Sequence, residues 1–202
     1  DWSSDVCSSD LRHAVPLLDA QRALRLTRAN ATRWHLSPQR IGILGFSAGG
    51  HVASTATTHF DAGKPDATDP VERLSSRPDF AWLIYPVVTM GEFTHTGSKH
   101  ELLGDSPSAD LVRQFSCELQ VSDRTPPAFL AHALDDTAVP ISNSRLYRDA
   151  RARLHTARGD GAALLSVVGA LVNAATINRR LLGSLPLPAR ARPRRPPLGR
   201  AG

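Results

Sequence analysis

Apolar and polar positions alternate along the middle of the chain in blocks of strand and helix length. Apolar side chains recur three or four positions apart over 16–33, which predicts an amphipathic helix with Arg22, Arg25 and Arg28 facing solvent. Short apolar runs predict strands at 40–46, 79–86 and 127–133. The remaining patterns predict helices at 48–59, 108–116 and 141–153. Such alternation is typical of an α/β fold, a parallel sheet with helices on both faces.

The first predicted strand runs directly into the turn Gly45-Phe46-Ser47-Ala48-Gly49. A strand, Gly-x-Ser-x-Gly and then a helix form the pattern of a nucleophile elbow, in which a sharp turn exposes a serine hydroxyl. We expect Gly45 and Gly49 to prevent collisions around that serine. A phosphate-binding loop would need a Gly-Lys-Ser/Thr sequence, which is absent here. Ser47 is therefore the candidate nucleophile.

A candidate acid follows the third predicted strand. A serine nucleophile needs a base, usually histidine, which is itself oriented by a carboxylate. In elbow-containing hydrolases the chain order is Ser, then Asp or Glu, then His. Asp135 and Asp136 come directly after the strand at 127–133, so we expect them at the same sheet edge as Ser47. Asp136 is the candidate acid, and Asp135 is the alternative. The structural interpretation of Asp135 is a side chain that stabilises a turn or caps a helix.

A matching histidine is harder to find. Only His155 lies beyond Asp136. The predicted helix at 141–153 rises about 1.5 Å per residue, which carries His155 roughly 20 Å back across the sheet. A further strand within 164–172 could return the chain, but no histidine follows it. The sequence therefore predicts a nucleophile and an acid without their base.

The other histidines and the cysteines suggest neither a metal nor a cofactor. His51 and His132 are interpreted as packing residues. His95 and His100 lie in the excursion at 89–125, where a solvated loop is favoured over the wall of a substrate pocket. The cysteines have no metal-ligand spacing, and the histidines and aspartates have none either.

The net charge of +5 comes from the last quarter of the chain. Residues 151–202 contain ten arginines and one acidic residue, whereas 1–150 contain 14 basic and 18 acidic residues. The Arg- and Pro-rich composition predicts a disordered tail, either a natural basic tail or an out-of-frame translation of GC-rich DNA. The second interpretation is favoured because no catalytic histidine follows. We expect no nucleic-acid partner for the Ser47 domain, and no run of about 20 apolar residues indicates a membrane span.

The beginning of the chain also differs from its middle. Residues 1–11, Asp-Trp-Ser-Ser-Asp-Val-Cys-Ser-Ser-Asp-Leu, back-translate to a widely used short-read sequencing adapter. We therefore exclude them from reasoning about the fold. The predicted organisation is an adapter at 1–11, a partial domain at 12–150 and the tail at 151–202.

Residues 12–150 resemble α/β-hydrolases of the carbohydrate acetyl-esterase group, bacterial esterases similar to acetyl xylan esterases. The matching segments are Ile41–His51, Arg77–Phe80, Tyr85-Pro86, Leu102–Gly104, Thr125–Pro127, Asp135-Asp136 and Val139-Pro140. The resemblance implies a fragment of the α/β-hydrolase fold that lacks the early strands. It also implies hydrolysis of carbohydrate or small carboxylic esters through an acyl-enzyme, without a cofactor. Ser47 falls on the nucleophile, Asp136 on the acid, and the Ala48 N–H on one oxyanion donor.

Two elements of that family have no counterpart in the chain. One is the upstream His-Gly-Gly-type loop, which supplies the second oxyanion N–H, and the other is the catalytic histidine. We therefore expect an inactive copy of an esterase whose partner would be a small-molecule or carbohydrate ester. A prolyl-oligopeptidase-type peptidase, which shares the elbow and acid loop, remains an alternative. A noncatalytic module with a basic nucleic-acid-binding tail is another.

Overall fold

The computed structural model describes residues 12–157 and 169–171, with four strands and five α-helices among them. In chain order these are α1 Val15–Ala29, β1 Gly42–Phe46, α2 Ser47–Thr58, β2 Phe80–Ile84, α3 Thr96–Leu103, α4 Ala109–Phe115, β3 Ala128–His132, α5 Ser142–Ala157 and β4 Gly169–Leu171. Each predicted strand and helix is confirmed with small shifts of its ends. α3 was not predicted, because it lies inside the excursion at 89–125.

The four strands form one parallel sheet in the order β1-β2-β3-β4. Phe46 of β1 is in register with Ile84 of β2, and Ala131 of β3 is in register with the same Ile84. The carboxyl ends of the strands therefore meet at one edge of the sheet. This arrangement confirms the predicted α/β class and explains how residues distant in sequence are brought to a common edge.

One face of the sheet is packed against α2 and α5. Its core contains Leu83 and Leu130 from the sheet, Ala53 from α2 and Tyr147 from α5, each 2% exposed or less. The buried Tyr147 hydroxyl lies 2.8 Å from Thr57 Oγ1, so its polar end is satisfied by a hydrogen bond. These contacts fix α2, and with it the elbow, on the sheet.

The opposite face of the sheet carries half-exposed apolar side chains. Leu44 and Trp82 are each 51% exposed and Phe46 is 49% exposed. Side chains alternate between the two faces of a strand, so these residues point away from the packed core. Among the described residues no helix covers this face, and the second helix layer that was predicted is not found there.

The orientation predicted for the arginines of α1 is right for Arg22, whose side chain is 39% exposed, and wrong for Arg25 and Arg28. Arg25 is only 4% exposed, and its guanidinium binds the Asp61 carboxylate at 2.5 Å and the Leu74 carbonyl at 3.0 Å. Arg28 donates to the carbonyls of Ser75 and Arg77 and to Asp79. The guanidinium groups are buried because the loop after α2 supplies carboxylate and carbonyl acceptors, which a helical pattern cannot reveal.

Most of the two predicted end segments lies outside the described residues. Within 151–202 the structure describes the end of α5 and the three residues of β4, which pair with β3 in parallel. β4 falls inside the predicted strand at 164–172. No helix in the described ranges has both the length and the apolar character needed to cross a membrane.

Candidate active site

Ser47 stands at the junction between β1 and α2. Phe46 is extended, with φ −116° and ψ 141°, and Ser47 turns at once to φ +50°. A positive φ is unfavourable for a residue with a Cβ and is held only where its surroundings fix it. The Ser47 carbonyl accepts the Val87 N–H at 3.0 Å, which ties the turn to the end of β2. The local geometry is the strained strand-to-helix turn that the Gly-x-Ser-x-Gly pattern predicts.

Of the two glycines predicted to prevent collisions at the turn, Gly45 does so and Gly49 does not. A Cβ on Gly45 would overlap the carbonyl of Gly49, so Gly45 is required by the close approach of α2. A Cβ on Gly49 would meet nothing within 4 Å in the described part of the chain. Gly50 takes the role expected of Gly49, because a Cβ there would lie 2.6 Å from Pro86 Cβ. The sequence pattern predicted the turn correctly. The second glycine that a close contact requires is Gly50, one residue after the predicted Gly49.

Asp136 lies in the loop that follows β3, at the same sheet edge as Ser47. Its Oδ1 accepts the backbone N–H groups of Ala138 and Val139, each at 2.9 Å, which fixes the carboxylate. β1 and β3 flank β2, so they are separated by two strand spacings, roughly 10 Å. The fold therefore brings the candidate nucleophile and acid to one edge, separated by a gap that a base would have to bridge.

His132 lies beside Asp136, and both nitrogens of its ring have partners other than Ser47. Its Nε2 lies 2.9 Å from the Val139 carbonyl and 3.5 Å from Asp136 Oδ2, and its Nδ1 lies 2.8 Å from Ser144 Oγ. The side chain is buried. This confirms the interpretation of His132 as a packing residue, since neither nitrogen is free to take a proton from a serine.

His51 is also a packing residue, as predicted, and it joins α2 to the end of α4. It is 4% exposed, and its Nε2 lies 2.8 Å from the Phe115 carbonyl. Its Nδ1 lies 3.4 Å from Thr55 Oγ1, which also donates to the His51 carbonyl at 2.8 Å. Burial lowers the pKa of His51 below its usual 6.5, so the ring is held neutral.

No described histidine contacts the Ser47 hydroxyl. Within residues 12–157 and 169–171 that hydroxyl has no hydrogen-bond partner, and no histidine occurs after residue 171. His155 belongs to the last turn of α5, about 20 Å along the helix from Ser142, and its side chain is outside the described part.

A cavity of about 410 Å³ opens beside the elbow, between the start of α1, the start of α2 and α3. Ala48 and Val52 of α2 form part of its wall together with Met90 and Leu102. His95 also lies on this wall, as the N-cap of α3: its Nδ1 accepts the Ser98 N–H at 3.1 Å. The favoured interpretation of His95 as part of a solvated loop is therefore wrong. Gly104, which ends α3 at φ +83°, is the sequence signal from which that helix could have been predicted.

Other candidate groups have structural surroundings. The Cys117 thiol is buried against Ser54 and Thr55, and burial raises its pKa to about 11. His100 is exposed and pairs with Asp105 at 2.8 Å. In the described ranges no three His, Cys, Asp or Glu residues are grouped as a metal site would require.

Comparison with known proteins identifies the family of the chain. The family model described as BD-FAE matches residues 7–150. The chain belongs to the BD-FAE family. The resemblance to the α/β-hydrolase esterases is thereby confirmed.

Two curated relatives of this BD-FAE chain carry enzyme names. It is 39% identical over 149 residues to endo-1,4-beta-xylanase B of Butyrivibrio fibrisolvens, covering 74% of the chain and 23% of the relative. It is 37% identical over 131 residues to an acetylxylan esterase of Xylanibacter ruminicola, covering 63% of the chain and 25% of the relative. The chain thus spans about a quarter of the length of these relatives.

Solved structures agree with the fold. An acetyl ester-xyloside bifunctional hydrolase from Caldicellulosiruptor lactoaceticus matches with a TM-score of 0.74 and 42% identity, over 84% of the chain and 61% of that protein. A truncated carbohydrate esterase from gut microbiota matches with a TM-score of 0.59 at 20% identity, over 78% of the chain and 58% of that protein. The second likeness concerns the fold alone.

Proposed function

We propose that Ser47 is the nucleophile of a carboxylic-ester hydrolase that deacetylates carbohydrates or small esters. The observation that carries this proposal is the positive φ of Ser47 at the end of β1, in a chain of the BD-FAE family. Relatives named as an acetylxylan esterase and as an acetyl ester-xyloside hydrolase support the substrate class.

The reaction assigned to this site proceeds in two steps. Ser47 Oγ attacks the ester carbonyl carbon and gives its proton to a base, while the oxygen of the tetrahedral intermediate accepts the N–H of Ala48. Ala48 is in the first turn of α2, where backbone N–H groups have no partner within the helix. The alcohol leaves with a proton, and water then attacks the acyl-Ser47 ester to release the acid. The role of Asp136 is to orient the base.

We also propose that the chain itself is inactive because this base is missing. The rings of His51 and His132 are occupied on both nitrogens by buried partners. General-base catalysis contributes about 10²–10⁴-fold to such reactions. A loss of this size would leave little practical turnover.

The test is hydrolysis of p-nitrophenyl acetate by the chain and by its Ser47→Ala variant, with and without added imidazole. Imidazole can supply the missing base, and the Ser47→Ala variant reports the hydrolysis that imidazole performs in solution. We expect a Ser47-dependent rate only when imidazole is present. An equal rate for both proteins in imidazole would refute the role of Ser47.

A further inference from the structure

One buried amide side chain connects the segments that support the candidate nucleophile and the candidate acid. Asn143 lies in the first turn of α5 and is fully buried. Its Oδ1 accepts the backbone N–H groups of Val88 at 2.9 Å and Thr89 at 3.1 Å. Its Nδ2 donates to the carbonyls of Phe93 at 2.8 Å and Pro140 at 3.0 Å. A carboxamide has two acceptor positions and two N–H donors, so all four are used.

The acceptor end of Asn143 holds the segment that supports the elbow. Val87 directly precedes Val88, and its N–H donates to the Ser47 carbonyl at 3.0 Å. Because the peptide unit between Val87 and Val88 is rigid, a displacement of Val88 also moves the group that holds Ser47. Asn143 therefore acts on the strained turn through Val87.

The donor end of Asn143 holds the loop that carries the acid. Pro140 directly follows Val139, whose N–H donates to Asp136 Oδ1 at 2.9 Å. The backbone N–H of Asn143 also donates to the Pro140 carbonyl, at 3.0 Å, so this carbonyl accepts two hydrogen bonds from one residue. His132 Nε2 lies 2.9 Å from the Val139 carbonyl. The acid loop is thus held by His132 from β3 and by Asn143 from α5.

Asn143 extends the connection between β2 and β3 beyond the end of the sheet. The sheet hydrogen bonds join these strands as far as Tyr85, whose N–H donates to the Ala131 carbonyl. The segments that follow the two strands are the ones that Asn143 joins. A base between the nucleophile and the acid would need both groups at fixed positions, since small misplacements of reacting groups lower rates strongly.

We infer that Asn143 is a positioning residue that fixes the separation of Ser47 and Asp136. It acts on Ser47 through Val87 and on Asp136 through Val139. The inference rests on the proposed roles of Ser47 and Asp136 and deepens them. A side chain that served only the stability of the fold would protect the whole domain alike, whereas a positioning residue protects these two segments selectively.

Hydrogen exchange of single backbone amides tests the inference without turnover. It is measured on the full chain by mass spectrometry with fragmentation to single residues. In Asn143→Ala the N–H groups of Val87 and Val139 should exchange about five- to tenfold faster, although neither is a hydrogen-bond partner of Asn143. The reference is the Ala81 N–H, which donates to the Pro127 carbonyl at the opposite end of β2 and should keep its rate.

The matched control is Tyr147→Phe. Tyr147 is also fully buried on α5, one turn after Asn143, and its hydroxyl pairs with Thr57 rather than with either segment. This change removes a buried hydrogen bond from the same helix. It should leave the exchange of Val87 and Val139 unchanged relative to the reference amide.

A second variant decides if Asn143→Ala does not melt cooperatively. The carboxylate of Asn143→Asp can still accept the two N–H groups, but it cannot donate to Pro140. The Val139 N–H alone should then exchange faster, while that of Val87 should keep its rate.

The outcomes separate this inference from the proposed function. Unchanged exchange at Val87 and Val139, or an equal acceleration at Ala81, would overturn the inference. In the imidazole assay Asn143→Ala should lower the Ser47-dependent rate about ten- to a hundredfold and the control variant should not, and an unaltered rate in Asn143→Ala would also overturn it. Selective exchange without any Ser47-dependent rate in the parent chain would refute the hydrolase proposal alone.

Discussion

At the residue scale, the elbow depends on a few backbone positions. Ser47 adopts φ +50°, and Gly45 lets α2 approach the end of β1. The sequence predicted the turn because Gly-x-Ser-x-Gly follows an apolar run. It could not show that Gly49 has open space while Gly50 contacts Pro86, since that distinction depends on how α2 packs against the end of β2.

Substitution of two glycines distinguishes these positions. Gly45→Ala should lower the free energy of unfolding by about 1–3 kcal/mol, because the new methyl group overlaps a backbone carbonyl. Gly49→Ala is the matched control and should be neutral or stabilising by up to about 1 kcal/mol, because alanine favours a helix over glycine. Urea unfolding of both variants measures the difference. Equal destabilisation by the two changes would contradict the assigned geometry.

At the element scale, α2 is joined to the end of α4 by contacts of two histidines with Phe115. His51 lies 2.8 Å from the Phe115 carbonyl, and His59 stacks on the Phe115 ring. The sequence predicted α2 and the helix at 108–116 separately. It could not predict this contact, because hydrophobic periodicity does not specify which buried polar groups meet.

These two histidines should make the stability depend on pH. Burial lowers the pKa values of His51 and His59 in the folded chain below 6.5, so between those values and 6.5 the unfolded chain binds more protons. The contribution of the two neutral histidines to the unfolding free energy is therefore complete above pH 6.5 and is lost as the pH falls below 6.5. His51→Gln, which can still donate to the Phe115 carbonyl, should have a shallower decline in unfolding free energy between pH 6.5 and 5.

The matched control for this experiment is His100→Gln, a change at an exposed side chain of α3 outside these contacts. The unfolding free energy of His100→Gln should decline between pH 6.5 and 5 as steeply as that of the parent chain. A decline that is identical in the parent and in His51→Gln would exclude His51 as its source.

At the scale of the whole molecule, the sheet has one packed face and one exposed apolar face. The short apolar runs of the strands predicted a parallel sheet covered on both faces, and the face toward α2 and α5 agrees. The other face carries Leu44, Phe46 and Trp82 at half exposure, and β1 lies at an edge of the described sheet. The sequence pattern indicates that both faces are apolar, but it does not specify what covers each of them.

The exposed face should cause self-association. Apolar patches and free strand edges favour contacts between copies of a chain. In sedimentation velocity, self-association makes the average mass increase with protein concentration. Trp82→Arg should therefore make this increase smaller. Trp34→Arg is the matched control, because Trp34 is 49% exposed outside the sheet. A monomeric parent chain, or an equal effect of both changes, would argue against this role of the face.

Ser47-dependent hydrolysis of p-nitrophenyl acetate tests most directly whether Ser47 is a correctly placed nucleophile, with Asp136 at the same sheet edge and no base between them. We expect the chain and Ser47→Ala to be indistinguishable without imidazole, and the chain to be faster once imidazole is added. Ser47-dependent turnover without imidazole would contradict the missing base, and no difference with imidazole would contradict the nucleophile.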